Sequence, residues 1–402
     1  MSKRAVAVLF ACFCTVLAVY SIRYSYGTLL PEMLPVLGIT NAEAGLIYSS
    51  YFIAYTVLSP VLGIISDRVD VRLLLAVFIA LMGAGTFLMQ YSNSLLQASL
   101  FFTLAGVGAS AGWAPVMSLA QRWVSDKRRG MSLSLIDAGS SLGVMAAGLL
   151  APLAVVYSGW QTGWMVLGIF GLALGLLNYL CIRNYPRNQA VRPAGRTAGW
   201  ISSLGQTYKI ILTDKRFWLI GLAYLLTGFA IIIPFTFLST YAFKELSFSY
   251  DSATLLITII GVGAITGKIT LGPLSDKVGR IKIMLLCAAL IGGGCLGIAY
   301  SRGWILMAIC AVYGIGYGAC WAMYAACAAD FFSRQAAGGI IGLWTFLMGA
   351  GSIVAPIISG WSADVTGTLQ WAFVIAGTAG VVSLVLLLPM LKVPRAETIK
   401  AP

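Results

Sequence analysis

Long apolar runs alternate with short polar stretches along the whole chain of 402 residues. Each run has roughly 20 residues or more, enough for a helix to cross about 30 Å of hydrocarbon with its backbone hydrogen bonds satisfied internally. The first run lacks the small-residue cleavage site of a signal peptide, so we expect it to remain as a span. The pattern predicts twelve transmembrane helices, near residues 5–34, 44–65, 73–92, 95–120, 131–156, 163–182, 217–243, 253–274, 282–301, 303–329, 338–362 and 370–391.

Composition and charge placement agree with a membrane protein. Hydrophobic residues make up 59% of the chain and charged residues 10%, which excludes the polar shell of a water-soluble domain. The net charge of +13 comes from Lys and Arg residues that gather in the loops of one side, whereas Lys244 and Arg302 lie in loops of the other. The positive-inside rule then predicts a multi-pass protein of the cell membrane, a bacterial inner membrane, with both termini cytoplasmic. The excess charge reflects topology, and we expect no nucleic-acid partner.

Motifs for enzymatic or cofactor chemistry are missing from the sequence. The eight cysteines are scattered, mostly through apolar runs, without the spacing of metal ligands, which is typical of small buried side chains. No GxxxxGK[ST] loop is present, which argues against transport driven by ATP. We therefore expect no metal, no cofactor and no enzymatic activity.

The chain divides into two related parts around a basic stretch. Residues 183–216 contain two prolines, several basic residues and no continuous apolar run, so they form the predicted linker between halves at 1–182 and 217–402. "GIISDRVDVR" at 63–72 returns as "GPLSDKVGR" at 272–280. Two related bundles that share a site near the middle of the membrane are expected of an alternating-access transporter.

The doubled cluster resembles the loop signature of the major facilitator superfamily, and the resemblance extends over nearly the whole chain. It implies an all-α fold of twelve transmembrane helices in two pseudo-symmetric six-helix bundles. The two loops would lie on the cytoplasmic face, where the small Gly63 and Gly272 would permit close helix approach, and would close this face when the opposite one is open. The alternative is that these charges only mark cytoplasmic loops, and Asp70 stands where the pattern usually has glycine. The predicted gate residues are Gly63, Asp67, Arg68, Arg72, Gly272, Asp276, Lys277 and Arg280.

An arginine inside the first apolar run is the leading candidate for substrate binding. Arg23 has tyrosines around it in "SIRYSYGTLLPEM", and we expect its planar donor fork, aided by the Tyr26 hydroxyl, to bind a carboxylate or phosphate. The segment is similar to the first helix of organic-anion and organophosphate transporters, where an arginine eight residues before a proline contacts the anion. Arg23 and Pro31 keep that spacing. The alternative is an arginine that reaches the outer headgroups.

Two further ionisable residues fall within apolar runs, where desolvation makes them expensive. Lys268 stands where monocarboxylate and oxalate–formate transporters carry a membrane arginine, although Ala264 replaces the carboxylate often found upstream. Asp137 shares a helix face with Ser134 and Ser141, and its stretch also resembles monocarboxylate transporters. The superfamily fold would bring Asp137 and Lys268 together as an ion pair between the halves. The alternatives are that Lys268 reaches the interface and that Asp137 pairs with nearby arginines.

Aromatic side chains complete the predicted substrate cavity. Tyr317 and Trp321 belong to a stripe at helical spacing that also includes Tyr313 and Tyr324, and Trp113 takes the related place in the first half. Such a stripe serves helix packing as well as it serves a cavity.

The sequence favours a secondary active transporter of a small organic anion, a monocarboxylate in particular, moved by proton symport. The histidine count is zero, so the proton carrier would be a carboxylate, and Asp137 is the candidate. The expected partners are the anion, protons and the lipid bilayer, with the chain acting as a monomer. A proton-coupled exporter of drugs or metabolites from the same superfamily and a non-transporting membrane receptor remain as alternatives.

Overall fold

The computed structural model describes residues 2–66, 69–124, 129–183, 212–332 and 334–393. Twelve helices in this part of the chain are long and apolar enough to cross a membrane, as predicted. The helices of the first half are α1 (Lys3–Leu37), α2 (Asn41–Ile65), α3 (Val71–Leu88), α4 (Leu95–Ala109), α5 (Ala114–Arg122), α6 (Arg129–Ser158) and α7 (Trp160–Cys181). Those of the second half are α8 (Lys215–Lys244), α9 (Tyr250–Val278), α10 (Arg280–Tyr300), α11 (Gly303–Phe331), α12 (Arg334–Thr366) and α13 (Gln370–Leu387).

Polar residues at the ends of the apolar runs determine where several helices begin and end. Thr40 and Glu43 form a reciprocal capping box at the start of α2, so two otherwise free backbone N–H groups find acceptors. At the end of α1, Gly38 adopts φ 60° and stops the helix in the left-handed conformation that glycine accepts without strain. Most of the predicted linker, 184–211, lies outside the described residues, so the domain boundaries stay a prediction.

One predicted span is interrupted. The run at 95–120 was expected as a single helix, but α4 ends at Ala109 and α5 begins at Ala114, with Trp113 at the break. Pro115 in the first turn of α5 explains the start of a new helix, because proline has no backbone N–H to continue the one before it. The backbone turns at this break, which is also where Trp113 contacts α1.

The two halves meet tightly toward one face of the bundle. We call this the distal face, where α1 connects to α2, and the opposite side, where α2 connects to α3, the terminal face. Close to the distal face, Ser49 of α2 donates to the carbonyl of Ile353 in α12 at 2.6 Å, and Tyr250 of α9 donates to that of Thr28 in α1 at 2.7 Å. A Cβ on Gly27 of α1 would overlap the backbone carbonyl of Phe235 in α8. These contacts close the distal side.

Candidate functional site

Arg23 lies in the middle of α1 with its side chain buried among aromatic rings. The residue is only 6% exposed. Its guanidinium carbon is 4.4–5.4 Å from the ring centres of Tyr20 in α1 and of Tyr51, Phe52 and Tyr55 in α2. The side chain therefore stays at the depth of its helix position and does not reach the headgroups. We call these four rings with Arg23 the arginine cage.

The arginine cage leaves the cation only partly satisfied. The Nε atom donates to the Tyr51 hydroxyl at 3.4 Å, whereas a terminal nitrogen, Nη2, has no hydrogen-bond partner among the described residues. Ring faces attract a cation, but they accept no strong hydrogen bond from a planar guanidinium. Since a buried donor without a partner is costly, this nitrogen is suited to bind an anionic oxygen.

An aromatic layer joins the arginine cage to the second half. Tyr24, next to Arg23 in α1, shares a 3.1 Å hydroxyl–hydroxyl hydrogen bond with Tyr317 of α11. The ring of Phe235 lies 4.0 Å from that of Tyr24 and 4.9 Å from that of Tyr317. Trp321 continues the layer at 6.2 Å from Tyr317. Two of the residues predicted for the cavity, Tyr317 and Trp321, thus lie together on the side of α11 that faces α1 and α8.

Trp113 approaches the same region from the break between α4 and α5. Its ring centre is 6.3 Å from that of Tyr20, whose own ring lies 5.0 Å from the Arg23 guanidinium. The structure therefore brings Trp113 next to the arginine cage, and the helix break positions it there.

Tyr26 and two members of the tyrosine stripe make packing contacts instead. The Tyr26 hydroxyl donates to the carbonyl of Ala44 at 2.7 Å, and its ring stacks on Tyr48. This placement does not bring Tyr26 to the arginine cage as expected, because its ring faces α2 and the interior of the first half. In the second half, the Tyr313 hydroxyl donates to the carbonyl of Ile231 at 2.9 Å, and that of Tyr324 bonds Thr227 at 2.9 Å.

Asp137 and Lys268 form an ion pair between α6 and α9, at the seam between the halves. The Lys268 Nζ is 2.9 Å from a carboxylate oxygen of Asp137, and it also donates to the Asp137 carbonyl at 3.1 Å and to the Ser140 hydroxyl at 2.7 Å. The side chains are 21% exposed for Lys268 and 35% for Asp137. Both side chains are therefore partly exposed, and the ion pair itself is the one that the superfamily resemblance led us to expect.

The sequence pattern did not identify Ser140 as a partner at this site and indicated two other serines of the same helix instead. Ser134 and Ser141 were expected to share a polar face with Asp137, but the Ser141 hydroxyl finds no partner among the described residues. Ser140 lies three positions after Asp137, on the same helix face, so helical spacing could have found it. The alternative partners expected for Asp137 are Arg128 and the side chain of Arg129, and these lie outside the described part of the chain.

In the part of the terminal face that the structure describes, only some of the predicted gate residues form side-chain hydrogen bonds or ion pairs. Arg72 donates to the carbonyl of Tyr179 at 2.6 Å, and Arg280 forms an ion pair with Asp330 at 2.6 Å, each within its own half. Asp276 is 73% exposed and lies 3.8 Å from Arg280. Lys277 is exposed in the last turn of α9, and Asp67 and Arg68 lie outside the described residues.

The glycines of the gate do not make the expected close helix approach. A Cβ on Gly272 would meet no atom within 4 Å, and one on Gly63 would reach only the Ala114 side chain, at an ordinary 3.4 Å. Apart from the Asp137–Lys268 pair and the aromatic layer, the contacts between the halves described above lie toward the opposite, distal face, so the expected approach is missing in this conformation. The gating role of these loops stays a prediction.

Twelve membrane helices in two related halves, closed on one face around a buried cationic site, define an alternating-access membrane transporter fold. The family description of the Major Facilitator Superfamily matches residues 10–250 and 220–401, so the chain belongs to this superfamily. This confirms the resemblance and the fold class that the sequence indicated.

Relatives named for different functions resemble the chain over most of its length. Membrane sensor protein UhpC of Escherichia coli is 25% identical, with 92% of this chain and 89% of that protein covered. The hexuronate transporter of Bacillus subtilis is 23% identical over 85% and 84%, and monocarboxylate transporter 12-B of Danio rerio is 25% identical over 82% and 75%.

Solved structures show the same fold at low sequence identity. A bacterial homolog of the human lysosomal transporter Spinster, inward-facing and unoccupied, superposes with a TM-score of 0.79 at 15% identity, covering 97% of this chain and 96% of that one. The nucleoside transporter NupG gives 0.77 at 16% identity, covering 98% and 100%. At this identity the likeness extends to the fold alone.

Proposed function

We propose that the chain is a secondary active transporter of a small organic anion, with monocarboxylates as the favoured cargo. The observation that carries the proposal is the unpartnered Nη2 of Arg23 within the arginine cage. A carboxylate there replaces the missing acceptor and neutralises a buried cation, and both effects favour binding. The halves then rock around the bound anion, which is released at the opposite face. We propose no enzymatic step.

The names of the relatives support an anionic cargo. They describe transport of hexuronate in Bacillus subtilis, of monocarboxylate in Danio rerio and of hexose phosphate in Chlamydia pneumoniae. These compounds differ in size but share a carboxylate or a phosphate. A caged, unpaired arginine is also of little use to an exporter of neutral or cationic drugs, which argues against that alternative.

Proton symport through Asp137 completes the proposal. The Asp137 carboxylate is paired with Lys268 at 2.9 Å. A monoanion bound at Arg23 places a negative charge near Asp137, and a carboxylate beside such a charge inside the membrane takes up a proton. Among the described residues, Tyr20 of α1 interacts electrostatically with Asp137, and Cys320 of α11 with Lys268. Neither is a carboxylate, so Asp137 is the group that changes charge.

Helix packing connects the anion site at Arg23 with the proposed proton carrier, Asp137. Gly143 of α6 packs against α1 so closely that a Cβ there would lie 2.9 Å from the Cβ of Tyr20. The helix that carries Asp137 therefore adjoins the arginine cage, and the negative charge of a bound anion acts on Asp137 across a medium of low polarity. We further propose a monomer in the bacterial inner membrane, with the terminal face in the cytoplasm.

An uptake screen in proteoliposomes tests the proposal. Labelled organic acids are offered with and without an inward proton gradient, and liposomes without protein serve as the control. We expect at least one monocarboxylate to accumulate above the control and to accumulate more with the gradient. Absence of uptake for every organic anion by correctly folded protein would contradict the proposal.

A sensor is the second candidate function, because a protein named as a membrane sensor is 25% identical over 92% of this chain. A sensor would use the same arginine cage to bind an anion without carrying it across. Tight binding of an organic acid by the purified protein, with no flux in the liposomes, would favour this function over transport.

A further inference from the structure

The membrane interior of the protein contains one uncompensated positive charge. Among the described residues, three charged side chains lie more than two turns from both ends of their helices: Arg23, Asp137 and Lys268. Asp137 and Lys268 neutralise each other at 2.9 Å. Within the described part of the chain, Arg23 has ring faces and the hydroxyls of Tyr51 and Tyr24 around it, and no carboxylate forms an ion pair with it.

The two cations differ in how much hydrogen bonding they can still offer. The Lys268 ammonium has three N–H groups, and three acceptors lie within reach: the Asp137 carboxylate and carbonyl and the Ser140 hydroxyl. Arg23 keeps an unused terminal nitrogen. With Asp137 ionised, the protein therefore offers an incoming anion one open cation, and Lys268 becomes a second one only when Asp137 is neutral.

We infer that Asp137 determines the charge class of the cargo, so that the protein selects monoanions and holds Lys268 as a second, masked anion subsite. This inference rests on the proposed function and names the substrate class of the same site. One carboxylate balances the interior charge. A second one, as in a dicarboxylate, would stay unpaired inside the membrane or would have to displace Asp137 from Lys268, and both are unfavourable.

Acids that differ only in charge test the inference. Butyrate is compared with succinate, and gluconate with glucarate, for binding to the purified full-length protein at neutral pH. The readouts are tryptophan fluorescence, since Trp113 and Trp321 adjoin the site, and thermal stabilisation. For the wild type we expect each monoacid to bind about tenfold or more tightly than its diacid partner, as an uncompensated charge would require.

Neutralising Asp137 should reverse this preference. In Asp137→Asn we expect the affinity for the diacid to rise about tenfold or more, since Lys268 is then free to pair with the second carboxylate. Asp137→Ser repeats the test with a smaller polar side chain in case the asparagine variant folds poorly. Asp137→Asn/Lys268→Gln should prefer monoacids again, because Arg23 is once more the one open cation. Asp251→Asn, which removes an exposed carboxylate from the first turn of α9, is the matched control and should behave as wild type.

Two outcomes would overturn the inference in different ways. If monoacids bind the wild type and both Asp137 variants while diacid affinity stays unchanged, Asp137 does not set the charge class, although the anion site stands. If diacid binding gained in Asp137→Asn survives the added Lys268→Gln change, Lys268 is not the second subsite. Failure of all four acids to bind the wild type would instead overturn the anion site, and this inference with it.

Discussion

In the proposed transport cycle, we expect anion binding to depend most on Arg23. Replacing it with glutamine keeps a polar, though shorter, side chain but removes the charge and the guanidinium donor fork. A charged hydrogen bond in a dry site contributes about 1.5–3 kcal/mol, so uptake by Arg23→Gln should fall about 10-fold to 100-fold. Arg23→Lys keeps the charge without the planar fork and should retain part of the activity. Initial rates of uptake in proteoliposomes at low substrate concentration give the measurement.

The control for this change is another arginine outside the site. Arg302 is exposed just before the first turn of α11, and Arg302→Gln should transport at the wild-type rate. Undiminished uptake by a folded Arg23→Gln protein would show that the anion binds elsewhere.

At the residue scale, the sequence identified the charges but not most of their neighbours. Arg23, Asp137 and Lys268 stand out because ionised groups are rare in apolar runs. The rings of Tyr51, Phe52 and Tyr55 around Arg23 come from another helix, and their contact depends on how α2 is rotated against α1. The sequence pattern does not show how the helices are rotated against each other. For this reason Tyr26 was assigned to the site, although its ring faces α2.

At the element scale, a carboxylate near the end of α12 holds the distal face closed by binding the first residues of α2. The Asp364 carboxylate of α12 accepts hydrogen bonds from the backbone N–H groups of Asn41 and Ala42, at 3.0 and 2.8 Å, where α2 begins in the other half. A carboxylate at a helix N-terminus is stabilising, and hydrogen bonds to a charged group contribute about 1.5–3 kcal/mol. We expect Asp364→Asn to shift the protein away from the state closed at the distal face. Distances between spin labels across that face measure the shift.

A variant within one half separates this effect from simple loss of helix capping. The side-chain hydrogen bond of Glu43 closes the capping box at the start of α2 itself, so Glu43→Gln should weaken the helix end and leave the distances across the distal face nearly unchanged. Identical distance distributions in Asp364→Asn and wild type would show that Asp364 does not hold the halves together.

The loop after α9 gives the second prediction at this scale. Asp276 is exposed, and its nearby cation, Arg280, is already paired with Asp330. We therefore expect Asp276 to bind a different partner in another conformation. Asp276→Asn should slow transport by weakening closure of the terminal face while the order of substrate preference stays the same. A changed preference in competition assays would mean that this loop lines the site. Asp330→Asn is the contrast, because it removes the partner of Arg280 within the half and should lower thermal stability.

Helix positions were predicted better than helix continuity. Apolar runs of the right length locate twelve spans, because a membrane requires long helices wherever the chain crosses it. The interruption between Ala109 and Ala114 was missed, since the surrounding residues remain apolar and Pro115 alone does not tell whether a helix kinks or ends.

At the scale of the whole molecule, the charge of the interior relates binding to movement between the halves. The empty protein has one net positive charge from Arg23, Asp137 and Lys268. One anion bound together with one proton leaves that sum unchanged, so the empty and the loaded protein would rock against the same electrostatic barrier. A symporter needs both forms to move easily, and the ion pair between α6 and α9 provides the group that can accept the proton.

Asp137→Asn should therefore separate transport from the proton gradient. Exchange of labelled for unlabelled anion across the membrane should persist, because Arg23 still binds the cargo, whereas accumulation driven by a proton gradient should disappear. Lys268→Ala leaves the half-buried Asp137 carboxylate without its cation, on the helix that adjoins the arginine cage, so anion uptake should be lost in both assays. The carboxylate control, Asp251→Asn, should keep both exchange and accumulation. Undiminished accumulation by Asp137→Asn under a proton gradient would exclude this carboxylate as the proton carrier, because asparagine at this position cannot take up the proton that the scheme requires.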